Sequence, residues 1–329
     1  MNVDAKATRR KTPTAPATKA TRRKAPAACA TMALGSRLAA LVVCTALAAA
    51  LVLRQRGGNE SGASSAVPEL QTGKFERVRC ARQPSGSPPP VAGCTPRREE
   101  CGRLFVEGFA SPEEVAALRD IAERGMAIGG GSGGPTILDL QTGALSFEDK
   151  FVDVWLALNA TGRRPYSKSD VKAYADVASR AAALLEREFA ADGLQLTAPT
   201  FFSRIRADRP PVIANDEYWH SHVDTLQYGS FVFTTLLYLS DAETDFEGGD
   251  FVFEEAGDRP AARVAPRRGR LVAFSSGSEF PHHVEQVTQG VRLALTIAFT
   301  CTADAAIDGF LSRAVDDNEA TRIQAEIDS

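Results

Sequence analysis

Between Thr200 and Thr302 the apolar residues abandon helical spacing. They fall into short β-branched and aromatic runs, FFSRI, SFVFTTLLYLS, DFVFEE, RLVAFSS and VRLALTIAFT, separated by turn signals such as Glu247-Gly248-Gly249-Asp250 and Pro266 to Gly269. The segment before them reads differently. Ser111-Pro112-Glu113-Glu114 supplies an N-cap serine, a proline at the first helical position and a glutamate at the third, a capping box that opens a helix to about Gly125. Tyr174, Val177, Ala178, Ala181, Leu184, Leu185 and Phe189 form a helical apolar stripe ending near Gly193. Helices followed by closely spaced strands predict an α+β domain, a β-sandwich or double-stranded β-helix (jelly roll) with supporting helices packed on a sheet.

At 329 residues the chain has room for one catalytic domain of about 200 residues and an accessory segment. The net charge of −3 averages two unlike parts. Residues 1–37 carry nine Lys or Arg against the single acid Asp4, so the remainder of the chain is acidic. That tail repeats ATRRKTP as ATRRKAP, and with Ala, Thr and Pro between its basic clusters it cannot bury a core and is expected to be disordered. It reads as a solvated tail, not a nucleic-acid-binding segment.

Residues 38–53, LAALVVCTALAAALVL, are uncharged and apolar, and as a helix they would span about 24 Å against a hydrocarbon core of about 30 Å. Snorkelling flanks or a thin bilayer such as the endoplasmic reticulum would close the difference. The positive-inside rule then predicts a single-pass type II membrane protein with a cytosolic amino terminus and its catalytic domain in the lumen of the endoplasmic reticulum or Golgi. A cleaved secretory signal or a plastid-type leader is the other reading, and it too exports the domain. Residues 54–100, rich in Gly, Ser, Pro and charge, read as a luminal stalk. The catalytic domain is expected over 101–302 with a metal-binding core over 198–302, and 303–329 form a carboxy-terminal segment. Cys80, Cys94, Cys101 and Cys301 would lie where disulfides persist, in a pairing that spacing leaves open. The sequons at Asn59 and Asn159 agree with luminal exposure.

The four histidines occur in two clusters, His220 with His222 and His282 with His283. On a strand, His222 and Asp224 would project from one face, and a histidine from a distant strand could complete a set of two imidazoles and a carboxylate. Such a set leaves three metal positions open, the arrangement suited to non-haem Fe(II) oxygenases. A keto acid chelated there needs a second anchor for its far carboxylate. Arg292, ten residues after His282 and at the start of the strand VRLALTIAF, has the bidentate geometry for it, although an edge-strand arginine facing water would give the same spacing.

His222-x-Asp224, Tyr238-Leu239, Gly248-Gly249-Asp250-Phe251, Pro266-x-x-Gly269-Arg270-Leu271 and His282-x-Val284 through Gly290-x-Arg292 together resemble the prolyl 4-hydroxylase-like 2-oxoglutarate/Fe(II) dioxygenases. The resemblance spans residues 103–302 and is best after Tyr218. It implies that His222, Asp224 and His282 bind iron and that Arg292 binds the distal carboxylate of 2-oxoglutarate. Tyr238 would donate to the same carboxylate, and Thr296, on the Arg292 face by parity, would line the pocket. The GxR spacing favours His282 over His283. A cofactor-contacting tyrosine common in relatives on the strand before HxD is missing around Ile205 and Arg206, where Tyr218 or Trp219 could substitute. The implied activity uses Fe(II), 2-oxoglutarate and O2, with L-ascorbate keeping the iron reduced. The expected substrate is a peptide or protein of the secretory pathway, hydroxylated at a prolyl-type residue. The competing expectation is a jelly-roll binding module that keeps the fold without turnover.

Overall fold

The computed structural model describes residues 72–81, 100–160, 166–255 and 259–307. The chain enters this region with two paired strands, β1 (Glu76–Arg79) and β2 (Glu100–Val106). Helix α1 (Pro112–Met126) follows, with Ser111 as N-cap: its Oγ accepts from Glu114 N–H at 3.2 Å while the Glu114 carboxylate accepts from Ser111 N–H at 2.8 Å. Four short strands come next, β3 (Gly130–Gly131), β4 (Thr136–Asp139), β5 (Ala144–Glu148) and β6 (Lys150–Asp153), then helices α2 (Val154–Ala160) and α3 (Lys168–Phe189). The jelly-roll strands are β7 (Gln195–Leu196), β8 (Phe201–Arg206), β9 (Phe233–Tyr238), β10 (Phe246–Gly248), β11 (Phe251–Glu255), β12 (Arg259–Val264), β13 (Leu271–Ser275), β14 (His282–Val284) and β15 (Val287–Thr300). A five-residue helix, α4 (Asp224–Tyr228), interrupts them between β8 and β9.

The described strands form two sheets. The larger runs in the order β1-β2-β13-β9-β15-β8-β4-β5-β3, with β10 and β7 also paired to β15 and β6 to β5; the smaller is β12-β11-β14. Period-two alternation gives the central strands two buried faces. On one face Leu237 of β9, Leu271 and Ala273 of β13, and Leu293, Leu295, Ile297 and Phe299 of β15 pack against α1 and α3. On the other face Leu236 and Tyr238 of β9, Val272 and Phe274 of β13, and Ala294 of β15 meet Phe251 and Phe253 of the smaller sheet. The helices thus cover one side of the large sheet, and a jelly-roll-like interior forms on the other.

Three features depart from the sequence expectation. The segment 130–153 carries four strands that its Gly-rich, short-run composition does not announce. The last strand begins at Val287, so Arg292 lies inside it and not at its start. Pairing also runs past the expected domain limits of 101 and 302: β1 extends the large sheet, Thr197 bridges Ala306, and Ile307 N–H donates to Leu196 O at 2.9 Å. Cys80 and Cys101 form a disulfide that ties β1 to β2, and Cys301 is disulfide-bonded as well.

The basic tail 1–37, the apolar run 38–53, most of the stalk, Cys94, the Asn59 sequon and residues 308–329 lie outside the described residues. Among the described residues no helix is long and apolar enough to cross a membrane.

Leu295 is fully buried between the large sheet and the helices, whereas Leu156 of α2 is 70% exposed. Leu295→Ala is therefore expected to lower the unfolding free energy by about 2–5 kcal/mol in denaturant titration. Leu156→Ala is expected to stay within about 0.5 kcal/mol of the parent.

Candidate metal and cofactor site

His222 and His282 face each other across a single antiparallel bridge, with His222 N–H donating to His282 O at 2.9 Å and the reverse bond at 3.0 Å. Directly opposed residues of an antiparallel pair carry their side chains on the same face, and the two rings lie 4.4 Å apart. Asp224 joins them by a different route from the one expected. The sequence predicts a strand through His222-Val223-Asp224, but pairing ends at His222, and Asp224 begins α4. The chain turns there, and Asp224 Oδ1 comes to 3.7 Å from His222 Nε2 and 3.5 Å from His282 Nε2. The three donor atoms lie within 4.8 Å of one another.

The hydrogen bonds behind these atoms select their protonation. His222 Nδ1 lies 3.2 Å from His220 O and His282 Nδ1 lies 3.0 Å from Phe280 O. A carbonyl can only accept, so Nδ1 is the donor in each ring and Nε2 is the nitrogen turned toward Asp224. Burial pushes the His282 pKa down to about 4, opposed in part by the Asp224 charge, so this imidazole is neutral at ordinary pH. The ring is fixed by stacking on Phe251 at 4.9 Å and by the edge of Phe274 at 5.0 Å. Thr234 Oγ1 donates to Asp224 Oδ2 at 2.6 Å, which occupies the outer oxygen and leaves Oδ1 toward the histidines. Ser276 Oγ lies 2.8 Å from the same threonine hydroxyl.

These three residues share a cavity of about 380 Å³ with Arg292, Thr296 and Tyr218. Arg292 is 1% exposed, and its Nε donates to Gly249 O at 3.0 Å. Gly249 has φ of +69°, and a Cβ there would fall 3.0 Å from Arg292 Cδ, so the backbone can approach this closely only as glycine. Arg292 Nη2 is buried without a hydrogen-bond partner, and so is Tyr238 Oη. The Arg292 guanidinium carbon stands 5.4 Å from the Tyr238 ring centre. Burial lowers the Arg292 pKa and raises that of Tyr238. A buried guanidinium nitrogen lacking a partner is costly, and an anionic oxygen is the group that best satisfies it.

The sequence-derived residues thus separate by place. His222, Asp224, His282, Arg292 and Thr296 line one cavity. Tyr238 is fully buried beside Arg292. Tyr218 is in the wall, and its Oη accepts from Val287 N–H at 2.7 Å. Trp219 packs edge-on against Tyr218. His283 opposes Val252 while His282 opposes Phe253, so the adjacent histidines point to opposite faces of β14, and His283 Nδ1 turns to Glu254. His220 is exposed and pairs with Glu217 at 2.7 Å. Sequence reasoning missed Thr234, a hydroxyl within the apolar run of β9, and Ser276, which follows β13 in the stretch Ser275-Ser276-Gly277-Ser278.

The site can hold a divalent transition metal through two imidazole nitrogens and one carboxylate oxygen, with a cationic anchor in the same cavity. The family profile of the 2OG-Fe(II) oxygenase superfamily matches residues 212–300, which include all of these groups except the strands before β9. The chain is 41% identical to 2-oxoglutarate and iron-dependent oxygenase domain-containing protein 3 of Rattus norvegicus, over 83% of this chain and 86% of that protein. The Homo sapiens protein of the same name is 40% identical over 83% and 82%. Prolyl 3-hydroxylase 2 of Homo sapiens is 28% identical over 60% of this chain and 29% of its own length. Among solved structures, a Pseudomonas putida prolyl-4-hydroxylase aligns with 62% of this chain and 94% of its own at 19% identity and a TM-score of 0.43. With relatives this similar over most of both chains, and with a His-Asp-His cluster beside a buried arginine, the chain belongs to the 2OG-Fe(II) oxygenase superfamily, whose members use Fe(II), 2-oxoglutarate and O2.

Proposed function

We propose that this protein is a 2-oxoglutarate-dependent dioxygenase that hydroxylates a peptidyl, prolyl-type residue. The observation that carries the reading is the convergence of His222, Asp224 and His282 in one cavity with Arg292. His222 and His282 would hold the metal through Nε2 and Asp224 through Oδ1, which leaves three coordination positions open. Arg292 would take the far carboxylate of 2-oxoglutarate on its unpartnered Nη2, with Tyr238 Oη as a second donor and Thr296 in the adjoining wall. With iron bound, this cofactor system supplies the oxidation, releasing succinate and CO2 from 2-oxoglutarate and adding one oxygen atom to a substrate C–H bond.

The residues of this chain contribute position and protection. Thr234 holds Asp224 so that one oxygen faces inward. Phe251 and Phe274 fix His282 and keep water from its rear face. One carboxylate ligand brings a single negative charge and an imidazole ligand none, so the donor set would leave net positive charge on a divalent ion. That charge favours an anionic keto acid as the next ligand.

The prolyl-type substrate is supported by the similarity to prolyl 3-hydroxylase 2. We place the reaction in the secretory lumen on the strength of the apolar run 38–53 with its basic flank, the Cys80–Cys101 disulfide and the two sequons. Ascorbate would serve as reductant for the iron.

Purified protein supplied with Fe(II) is expected to convert 2-oxoglutarate to succinate, and Asp224→Ala to lose that turnover. Mass spectrometry of luminal proteins from cells carrying either form tests the substrate. One-oxygen additions on prolyl residues that depend on Asp224 are expected, and their absence alongside intact succinate formation would reject the prolyl assignment alone. Arg292→Lys replaces a two-pronged donor with a point charge and should weaken 2-oxoglutarate by about 10- to 100-fold in direct binding. Tyr238→Phe removes a buried hydroxyl whose polar neighbour is the Arg292 guanidinium, outside normal hydrogen-bond geometry. The ligand-free protein should stay within about 1 kcal/mol of the parent, while 2-oxoglutarate binding falls by about 5- to 10-fold.

A further inference from the structure

Beside the metal ligands sits a buried acid to which the proposed reaction gives no task. Glu254, next to last in β11, is 6% exposed. Its Oε2 accepts from Ser221 Oγ at 2.5 Å, and its Oε1 takes a close hydrogen bond from His283 Nδ1. Its backbone N–H donates to Pro281 O at 2.8 Å. Ser221 immediately precedes His222; Pro281 and His283 flank His282 on either side. One residue therefore grips both chain segments that carry the imidazole ligands.

The segment carrying His282 is paired along β14 with β11, whereas among the described residues the segment carrying His222 has no such ladder beside it. They meet in the single bridge between His222 and His282. β14 is three residues long. The His222 side chain is 34% exposed, whereas those of Asp224 and His282 are each 5% exposed, so His222 has the least packing to fix it. A carboxylate is retained in a buried position only when its oxygens are satisfied. Here the two partners that satisfy it are the neighbours of the two ligands.

We propose that Glu254 is a positioning residue, a carboxylate clamp that sets the spacing of His222 and His282 and through it the affinity of the site for its metal. The inference rests on the reading of His222, Asp224 and His282 as metal ligands. Second-layer contacts of this kind orient ligands at a cost of about 10- to 100-fold in metal affinity when removed. A contact that only stabilised the fold would lower the melting temperature and leave metal binding in the folded protein unchanged.

The test is titration of the full chain with Mn(II), following the free ion by electron paramagnetic resonance well below the melting temperature of each variant. The parent is expected to bind one Mn(II) and Asp224→Ala none. Glu254→Ala and Ser221→Ala should each weaken binding by about 10-fold or more. The double variant should bind no more weakly than Glu254→Ala, because both changes break one contact. Glu254→Gln should stay within about threefold of the parent, since its amide oxygen can accept from Ser221 and its amide nitrogen can donate to the other tautomer of His283. Ser221 is exposed, so its alanine variant folds even if Glu254→Ala does not, and it then decides the matter alone. Ser221→Ala binding Mn(II) within twofold of the parent overturns the clamp and leaves the metal site standing. A parent that binds no Mn(II) overturns both.

Discussion

The reciprocal backbone pair between His222 and His282 is the constraint on which the rest of the site depends. It joins two segments 60 residues apart in sequence through two hydrogen bonds, and it makes their imidazoles neighbours by the geometry of an antiparallel bridge. Asp224 reaches the same point because the chain leaves the strand direction at Val223 and turns into a short helix. Ring orientation then follows from two carbonyl acceptors, those of His220 and Phe280, which draw the hydrogen to Nδ1 and present Nε2 inward. Main-chain groups thus bring the donors together, and side chains, Thr234 on Asp224 and Phe251 and Phe274 on His282, hold them there.

A second arrangement is electrostatic. The guanidinium of Arg292 is buried in the large sheet with a backbone carbonyl as its resolved acceptor and one nitrogen unsatisfied. Nearby carboxylates are committed elsewhere: Asp250 accepts from Arg263 at 3.0 Å, and Arg263 also binds Glu285. The positive charge is consequently available to an incoming anion. Gly249 and Gly290 make this possible from the backbone side. Both adopt positive φ, and a Cβ on Gly290 would lie 2.0 Å from Asp245 O, which fixes the tight approach of β10 to the start of β15.

How much of this could be read from the chain follows from run length and from the kind of interaction. The β8, β9, β11, β13 and β15 strands were legible because each carries an unbroken β-branched or aromatic run, and α1 because its capping box is a local signal. β3 to β6 were not legible: runs of two to five residues broken by Gly and Thr depend for their shape on pairing with one another and, through β4, with β8. At the site, His222, Asp224, His282 and Arg292 could be named from spacing, yet the expected strand through Asp224 is a turn into a helix. Thr234, Ser276 and Glu254 act by contacts across 10 to 42 residues of sequence, for which no periodicity exists. A single acid at the end of the run DFVFEE is a faint sign at best, because strand ends carry acids for solubility as often as for structure.

The alternation along β15 has a consequence for how this protein can vary. Arg292, Ala294 and Thr296 face the jelly-roll interior, and Leu293, Leu295, Ile297 and Phe299 face the helices. Because the period is two, adding or deleting one residue between Gly290 and Thr296 would trade the two sets. A leucine would enter the cavity, and the guanidinium would be driven into the apolar layer beneath α1 and α3. Divergent copies of this chain can therefore exchange residue types within β15 while its length stays frozen, and indels should collect in the loops outside it.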